Sequence, residues 1–276
     1  MLKRLLVGVA GTPATSSKIA HTIELAQRHG ATVSLLSVID MERLSKVGAV
    51  PLGAGHYAHA MRRERADTVN ANAEAAIAQF ADACRDAQVD VQILRHEAEP
   101  IGTLADVWRY HDLCVLGLRG WFGSGTIPEP ENALLELIVR GIRPILAVSE
   151  TRRTIRRVLI GYNGSMESAK TMKRFCQLAL WPDMEFHIAA VEGSTKEPTA
   201  SLLADAASYC RTWGYRCDTA MLTGVPSTAL LSYASQIDAD LIAIGSSYQR
   251  IVIKNVFGPN ALELAKTADR PVFLSH

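Results

Sequence analysis

Short apolar runs alternate with amphipathic stretches along the whole chain. Val7 to Val9 is a continuous apolar run, which is typical of a parallel strand covered on both faces. The stretch from Thr15 to His29 then places Ile19 and Ile23 at helical spacing, and Gly30 follows where a helix C-cap favours glycine. The pattern therefore predicts a strand followed by a helix.

The same alternation continues to the end of the chain. Predicted strands of the first half centre on Val7–Val9, Val33–Val38, Val91–Leu94, Val115–Leu116 and Ile145–Val148, with helices over Thr15–His29, Met61–Ala87, Ile101–Tyr110 and Ala133–Arg140. In the second half, strands are predicted near 157–161, 186–191, 216–221, 240–244 and 271–274, with helices near 166–180, 199–213, 226–236 and 259–267. Helical crossovers between strands predict an α/β fold with parallel sheets and helices on both faces.

The two halves resemble each other. Three pairs of blocks match in the same order: Leu5–Thr12 with Val158–Ser165, Leu113–Gly117 with Leu241–Gly245, and Arg143–Val148 with Arg270–Ser275. Such a match indicates an internal duplication. We expect two tandem five-stranded domains, 1–149 and 155–276, joined by a short charged linker at Glu150–Arg153.

Composition and charge exclude several classes of protein. The 276 residues carry 29 Lys and Arg against 28 Asp and Glu, a net charge of +1. This balance argues against a nucleic-acid-binding or membrane-surface protein, and no apolar run approaches the ~18 residues of a membrane span. The five cysteines form no Cys-x-x-Cys motif, so we expect buried, reduced thiols in a cytoplasmic protein.

Glycines cluster where the predicted first and fourth strands of each half end. They are Gly8, Gly11, Gly117 and Gly120 in the first half, and Gly161, Gly164 and Gly245 in the second. Parallel sheets of this kind bind ligands outside the carboxyl ends of their strands. The sequence therefore predicts a ligand crevice at these ends.

Several of these segments resemble the universal stress protein family. The resemblance rests on Gly161-Tyr-Asn-Gly-Ser165, on Arg28–Val33, on Ile237–Gly245 and on Asp269–Leu274, and it extends over nearly the whole chain, twice. It implies an adenine nucleotide alpha hydrolase-like fold, frequent dimerisation, and ATP or AMP binding in some members. It also implies that the fifth strands of the two halves pair with each other.

Nucleotide-binding members carry Gly-x2-Gly-x9-Gly-Ser/Thr after the fourth strand and an Asp at the end of the first. In the first half, Gly117 and Gly120 match the opening, whereas Ala10 replaces the Asp and Glu131 occupies the third glycine position. A glutamate at this position would repel a phosphate.

The second half departs from the motif differently. Gly245 and Gly258 are kept, but Tyr248 replaces the second glycine and Asn163 replaces the Asp. The candidate nucleotide- or phosphate-binding residues are Gly117, Arg119, Gly120, Gly123, Ser124, Asn132, Asn163, Val191, Gly245, Ser247 and Gly258. Because both motifs are damaged, we expect unequal use of the halves and no tight ATP binding.

Motifs for catalysis are missing from the sequence. No Gly-Lys-Ser/Thr P-loop or Gly-x-Ser-x-Gly elbow occurs, and His56 and His59 lack a third metal ligand nearby. We expect a non-catalytic cytoplasmic stress-response protein whose two domains pack on each other, with a homodimer and a protein client as further expected partners. The alternative is a stress sensor in which one domain holds ATP or AMP.

Overall fold

The computed structural model describes residues 1–40, 55–118, 137, 140–142, 144–193, 200–245, 264 and 267–275, with the backbone alone for 55–62 and 65. The chain forms two compact units. The N-terminal unit is Lys3–Ile142, and the C-terminal unit combines Met1–Leu2 with Arg143–His276.

The N-terminal unit contains a parallel sheet with helical crossovers. Its elements are β1 (Arg4–Gly8), α1 (Thr15–His29), β2 (Thr32–Ile39), α2 (Gly55–Asp86), β3 (Val91–Glu97), α3 (Pro100–Trp108) and β4 (Leu113–Gly117). The strand order is β3-β2-β1-β4, with every pair parallel. The strand order therefore reverses between β1 and β4, because the chain first builds outward from β1 through β2 and β3.

The C-terminal unit repeats this pattern. Its elements are β5 (Ile145–Val148), β6 (Arg157–Gly161), α4 (Met166–Leu178), β7 (Glu185–Val191), α5 (Ala200–Thr212), β8 (Arg216–Leu222), α6 (Pro226–Gln236), β9 (Leu241–Gly245) and β10 (Val272–Ser275). The strand order is β5-β10-β9-β6-β7-β8. All pairs are parallel except β5 with β10, where Leu146 lies opposite Phe273 in an antiparallel register.

This antiparallel pair covers the β10 edge. Leu146 and Phe273 are both fully buried, as expected for an apolar strand that would otherwise expose its backbone. The predicted pairing of the two fifth strands is thereby confirmed. The boundaries 1–149 and 155–276 stay a prediction, since a compact unit need not coincide with a duplicated segment.

The predicted α/β fold is confirmed, and most elements lie within a few residues of their predicted bounds. Gly30 ends α1 with φ +61°, the left-handed conformation expected of a glycine C-cap. Helix α2 begins earlier than predicted, at Gly55 rather than near Met61. The predicted helices over 133–140 and 259–267 lie mostly outside the described residues.

The same pair of hydrogen bonds occurs at the start of the first strand of each half and supports the internal duplication. Asp112, just before β4, accepts hydrogen bonds from the backbone N–H groups of Lys3 and Arg4 at 2.7 and 2.9 Å. Asp240, just before β9, accepts the same pair of bonds from Arg156 and Arg157 at 2.9 and 2.8 Å. In each unit one carboxylate thus fixes the start of the first strand.

The buried core contains all five cysteines, as the sequence predicts, and all are free thiols. The Sγ atoms of Cys176 and Cys210 lie 3.7 Å apart, and the hydrogen bond between them raises the pKa of Cys210 to about 12. Such thiols are poor nucleophiles and pack as small apolar groups. Among the described residues, no helix is long and apolar enough to cross a membrane.

Candidate functional site

A cavity of about 130 Å³ opens at the carboxyl ends of β6 and β9 in the C-terminal unit. The strand order reverses between these two strands, since β7 and β8 extend the sheet on one side and β10 on the other. Ligands of open parallel sheets bind at this place. The cavity is smaller than the ~300 Å³ of a typical small-molecule pocket, so it can enclose only part of a nucleotide.

The cavity has one polar wall and one apolar wall. The polar wall comes from the β6–α4 turn and the first turn of α4: Asn163, Ser165, Glu167 and Ser168. The apolar wall comes from β7, α6, β9 and the segment before β10: Ala189, Val191, Leu230, Ile244 and Leu264. An apolar face beside a few hydrogen-bonding groups suits a planar base attached to a hydroxylated sugar.

The β6–α4 turn is held by its own side chains. Gly164 has φ +75°, and Asn163 Oδ1 accepts a hydrogen bond from the N–H of Ser165 at 3.1 Å. Ser165 is the N-cap of α4, and its Oγ accepts from the N–H of Ser168 at 3.2 Å. Two of the backbone donors of the turn therefore already have side-chain acceptors.

Asn163 has hydrogen-bonding capacity left for a ligand. Its Oδ1 is engaged with Ser165, whereas its amide nitrogen has no hydrogen-bond partner within the described part of the chain. An amide nitrogen supplies two donors. Asn163 can therefore donate to a ribose hydroxyl or a ring nitrogen of a ligand in the cavity.

Glu167 gives the polar wall a negative charge. It lies in the first turn of α4, where a carboxylate is stabilised by the positive end of the helix dipole. The N-terminus of a helix is also where phosphate groups bind in related folds. The carboxylate and a phosphate would therefore compete for the same positive potential.

Two glycines in the cavity wall have different structural roles. A Cβ on Gly245 would lie 2.8 Å from the Glu167 carbonyl carbon and 2.9 Å from the Ser168 nitrogen, both rigid backbone atoms. A Cβ on Gly161 would meet only the side-chain ends of Ile244 and Leu230, at 3.1 and 3.3 Å. Gly245 is thus required for the close approach of α4 to β9, one of the two roles that a glycine at a strand end can have.

Three of the predicted site residues line this cavity together: Asn163, Val191 and Gly245. Gly117 lies at the buried end of β4 in the N-terminal unit. The other predicted site residues lie outside the described part of the chain: Arg119, Gly120, Gly123, Ser124, Asn132, Ser247 and Gly258. Their role in binding stays a prediction, as does that of the three in the cavity wall.

The first turn of α4 contributes to the cavity wall, although none of its residues was among the predicted site residues. Ser165, Glu167 and Ser168 all line the cavity. The signal was available, since a serine after Asn-Gly is a typical N-cap and places the next turn of helix at the strand end. The buried side chain of Lys18 was not predicted either.

A second cluster of titratable side chains lies on β7 and β8. Glu185, His187 and Asp218 bring one ligand atom each to within 4.8 Å of the others, which suits a metal ion. However, the Arg157 Nε donates to Glu185 Oε1 at 3.0 Å, and His187 Nε2 lies 2.9 Å from the same oxygen. His187 and Arg157 together lower the pKa of Glu185. Because a guanidinium already neutralises this carboxylate, we assign the cluster to an ion-pair network.

The comparisons with known proteins agree with this architecture. Residues 1–127 match the model of the universal stress protein family. The universal stress protein Slr1230 of Synechocystis sp. is 23% identical over 98% of this chain and 99% of its own length. A universal stress protein from Archaeoglobus fulgidus has a crystal structure that superimposes with a TM-score of 0.66 at 15% identity, covering 98% of this chain and 97% of that one.

A shorter structural match is to a universal stress protein family protein from Arabidopsis thaliana with AMP bound. It covers 43% of this chain and 90% of that one, at 16% identity and a TM-score of 0.35. The two full-length matches have the size expected of two tandem domains. Residues 1–127 thus match the universal stress protein family, and over nearly its whole length the chain is similar to a universal stress protein in sequence and in fold.

Proposed function

We propose that the protein is a non-catalytic, cytoplasmic stress-response protein that binds one adenine nucleotide with few phosphates, such as AMP, in its C-terminal unit. The observation that carries the proposal is the cavity at the ends of β6 and β9, where Asn163, Val191 and Gly245 meet. The apolar wall would receive the base, and the Asn163 amide would donate to the ribose.

The charge of the cavity wall favours a monophosphate over a triphosphate. Each added phosphate would bring more negative charge towards the Glu167 carboxylate, in a partly desolvated crevice. At close range this repulsion costs about 1–3 kcal/mol, or about 5- to 150-fold in affinity. ATP binding should accordingly be weak, which agrees with the damaged motifs of both halves.

The cavity offers little for chemistry. The hydroxyls of Ser165 and Ser168 in its wall lie 3.4 Å from each other, and no histidine or lysine lies among the described lining residues. A serine nucleophile needs a base within hydrogen-bond reach. Binding without turnover is therefore the better-supported activity. The nucleotide-bound state would then be recognised by a protein client at the surface of the protein.

Calorimetric titration of the full chain with AMP tests the proposal. We expect saturable binding by the wild type and a loss of about 2- to 13-fold in affinity for Asn163→Ala, the equivalent of one hydrogen bond. Asn70→Ala, at an exposed position on α2, is the matched control and should bind like the wild type. Absence of AMP binding, or equal affinity in Asn163→Ala, would contradict the proposal.

A further inference from the structure

Lys18 is a lysine with no exposed surface, at the N-terminal end of α1 in the N-terminal unit. Its Nζ donates a hydrogen bond to the carbonyl oxygen of Gly8, the last residue of β1, at 2.8 Å. Lysine is almost never fully buried in proteins. Desolvation lowers its pKa to about 8, so the ammonium form remains the main one at neutral pH.

The carbonyl of Gly8 faces the point where the strand order reverses. The N–H of Val9 bonds to Leu36 on β2, so the preceding carbonyl points to the opposite neighbour, β4. The paired residues of β1 and β4 end at Val7 and Val115. Lys18 therefore supplies the hydrogen bond that a longer β1–β4 ladder would have supplied.

The C-terminal unit differs at the corresponding positions. Gly161 corresponds to Gly8, and its strand pairs one residue further, with Ile244 on β9. Thr171 corresponds to Lys18 in the duplicated sequence, and its short side chain bonds to the carbonyl of Ser275 at 2.8 Å. The space above this longer ladder contains the cavity.

We propose that Lys18 closes the crevice between β1 and β4 to nucleotides, and thereby confines nucleotide binding to the C-terminal unit. The ammonium group of this buried side chain lies at the carboxyl end of β1, beside the point where an open sheet receives its ligand. A ligand entering there would have to break a buried hydrogen bond and displace a cation. This inference rests on the proposed function and identifies the residue that makes the two units unequal.

Replacing residues of the N-terminal unit with those at the corresponding positions of the C-terminal unit tests the inference. In Lys18→Thr with Ala10→Asn, the N-terminal unit receives the residues that stand at 171 and 163 in the C-terminal unit. Equilibrium dialysis of the full chain with radiolabelled AMP should give one site per chain for the wild type and two for this double variant. Lys18→Met with Ala10→Asn is the matched control, because methionine keeps most of the stem, and it should retain one site.

The reverse substitution in the C-terminal unit tests the inference independently, in case the double variant does not fold. Thr171→Lys should close the crevice of the C-terminal unit and abolish AMP binding, while circular dichroism remains that of the wild type. The inference is overturned if the folded double variant stays at one site, if the wild type has two, or if Lys18→Thr alone weakens AMP binding. No site in the wild type but one in the double variant would refute AMP binding by the C-terminal unit and still show that Lys18 closes the crevice between β1 and β4; no site in either would refute both.

Discussion

Lys18 is the residue whose environment departs furthest from that of its type in ordinary proteins. Its only described polar partner is the Gly8 carbonyl, and burial is the cause of its lowered pKa. A lysine whose folded pKa is below the ordinary 10.5 binds a proton more weakly in the folded chain than in the unfolded one. Its desolvation cost is therefore fully present below pH 8 and is relieved as the pH rises towards 10.5.

We predict that this cost is visible in the pH dependence of unfolding. The free energy of unfolding of Lys18→Met relative to the wild type should fall by about 1–3 kcal/mol between pH 7 and pH 10, because only the wild type is relieved of the buried charge. Urea denaturation at both values measures it. Lys170→Met, at an exposed position on α4, should show no such difference. A parallel pH response of wild type and Lys18→Met would mean that the ammonium is not desolvated in the folded protein.

Single residues also mark the limit of what sequence could predict. Asn163 and Gly245 are far apart in the chain, yet their meeting was predictable, because the ends of first and fourth strands converge in such sheets. Lys18 was not predictable in the same way. A lysine in the first turns of a helix is normally solvated. Here the β1–β4 pairing ends one residue earlier than the β6–β9 pairing, and this difference leaves the Gly8 carbonyl for Lys18 to bind.

Among the secondary-structure elements, β5 is the one that the duplicated sequence and the compact units assign differently. It follows the N-terminal unit in the chain but belongs to the C-terminal unit, where three of its four buried residues pair with β10. Hydrophobicity alone predicted the strand, and the family resemblance predicted its partner. The pattern could not predict the residue at which the two compact units separate, since that depends on tertiary contacts.

The position of β5 leads to a prediction about fragments. A fragment of residues 143–276 should melt at a higher temperature than one of residues 155–276, because the shorter fragment leaves the backbone of β10 uncovered and exposes its apolar side chains. Differential scanning calorimetry of both fragments measures the difference. Leu146→Asp in the longer fragment is the control and should remove most of its advantage. Equal melting temperatures for both fragments would show that β5 contributes little to the unit.

The protein as a whole consists of two similar units that have diverged at the same place. The crevice of the C-terminal unit keeps a polar turn at Asn163 and an apolar wall, whereas the corresponding position of the N-terminal unit holds Lys18 and Ala10. Helix and strand positions follow from local periodicity, which duplication preserves. The difference between the two crevices follows from a few side chains, and hydrophobic periodicity does not predict where those side chains lie.

The crystal structure of the full chain grown with AMP tests this account most directly. The account predicts one nucleotide per chain, with its base against Val191 and Leu230 and its ribose within hydrogen-bond distance of the Asn163 amide. It also predicts an unchanged bond of 2.8 Å between Lys18 Nζ and the Gly8 carbonyl. AMP bound between β1 and β4 with Lys18 displaced, or both crevices empty at saturating AMP, would contradict it.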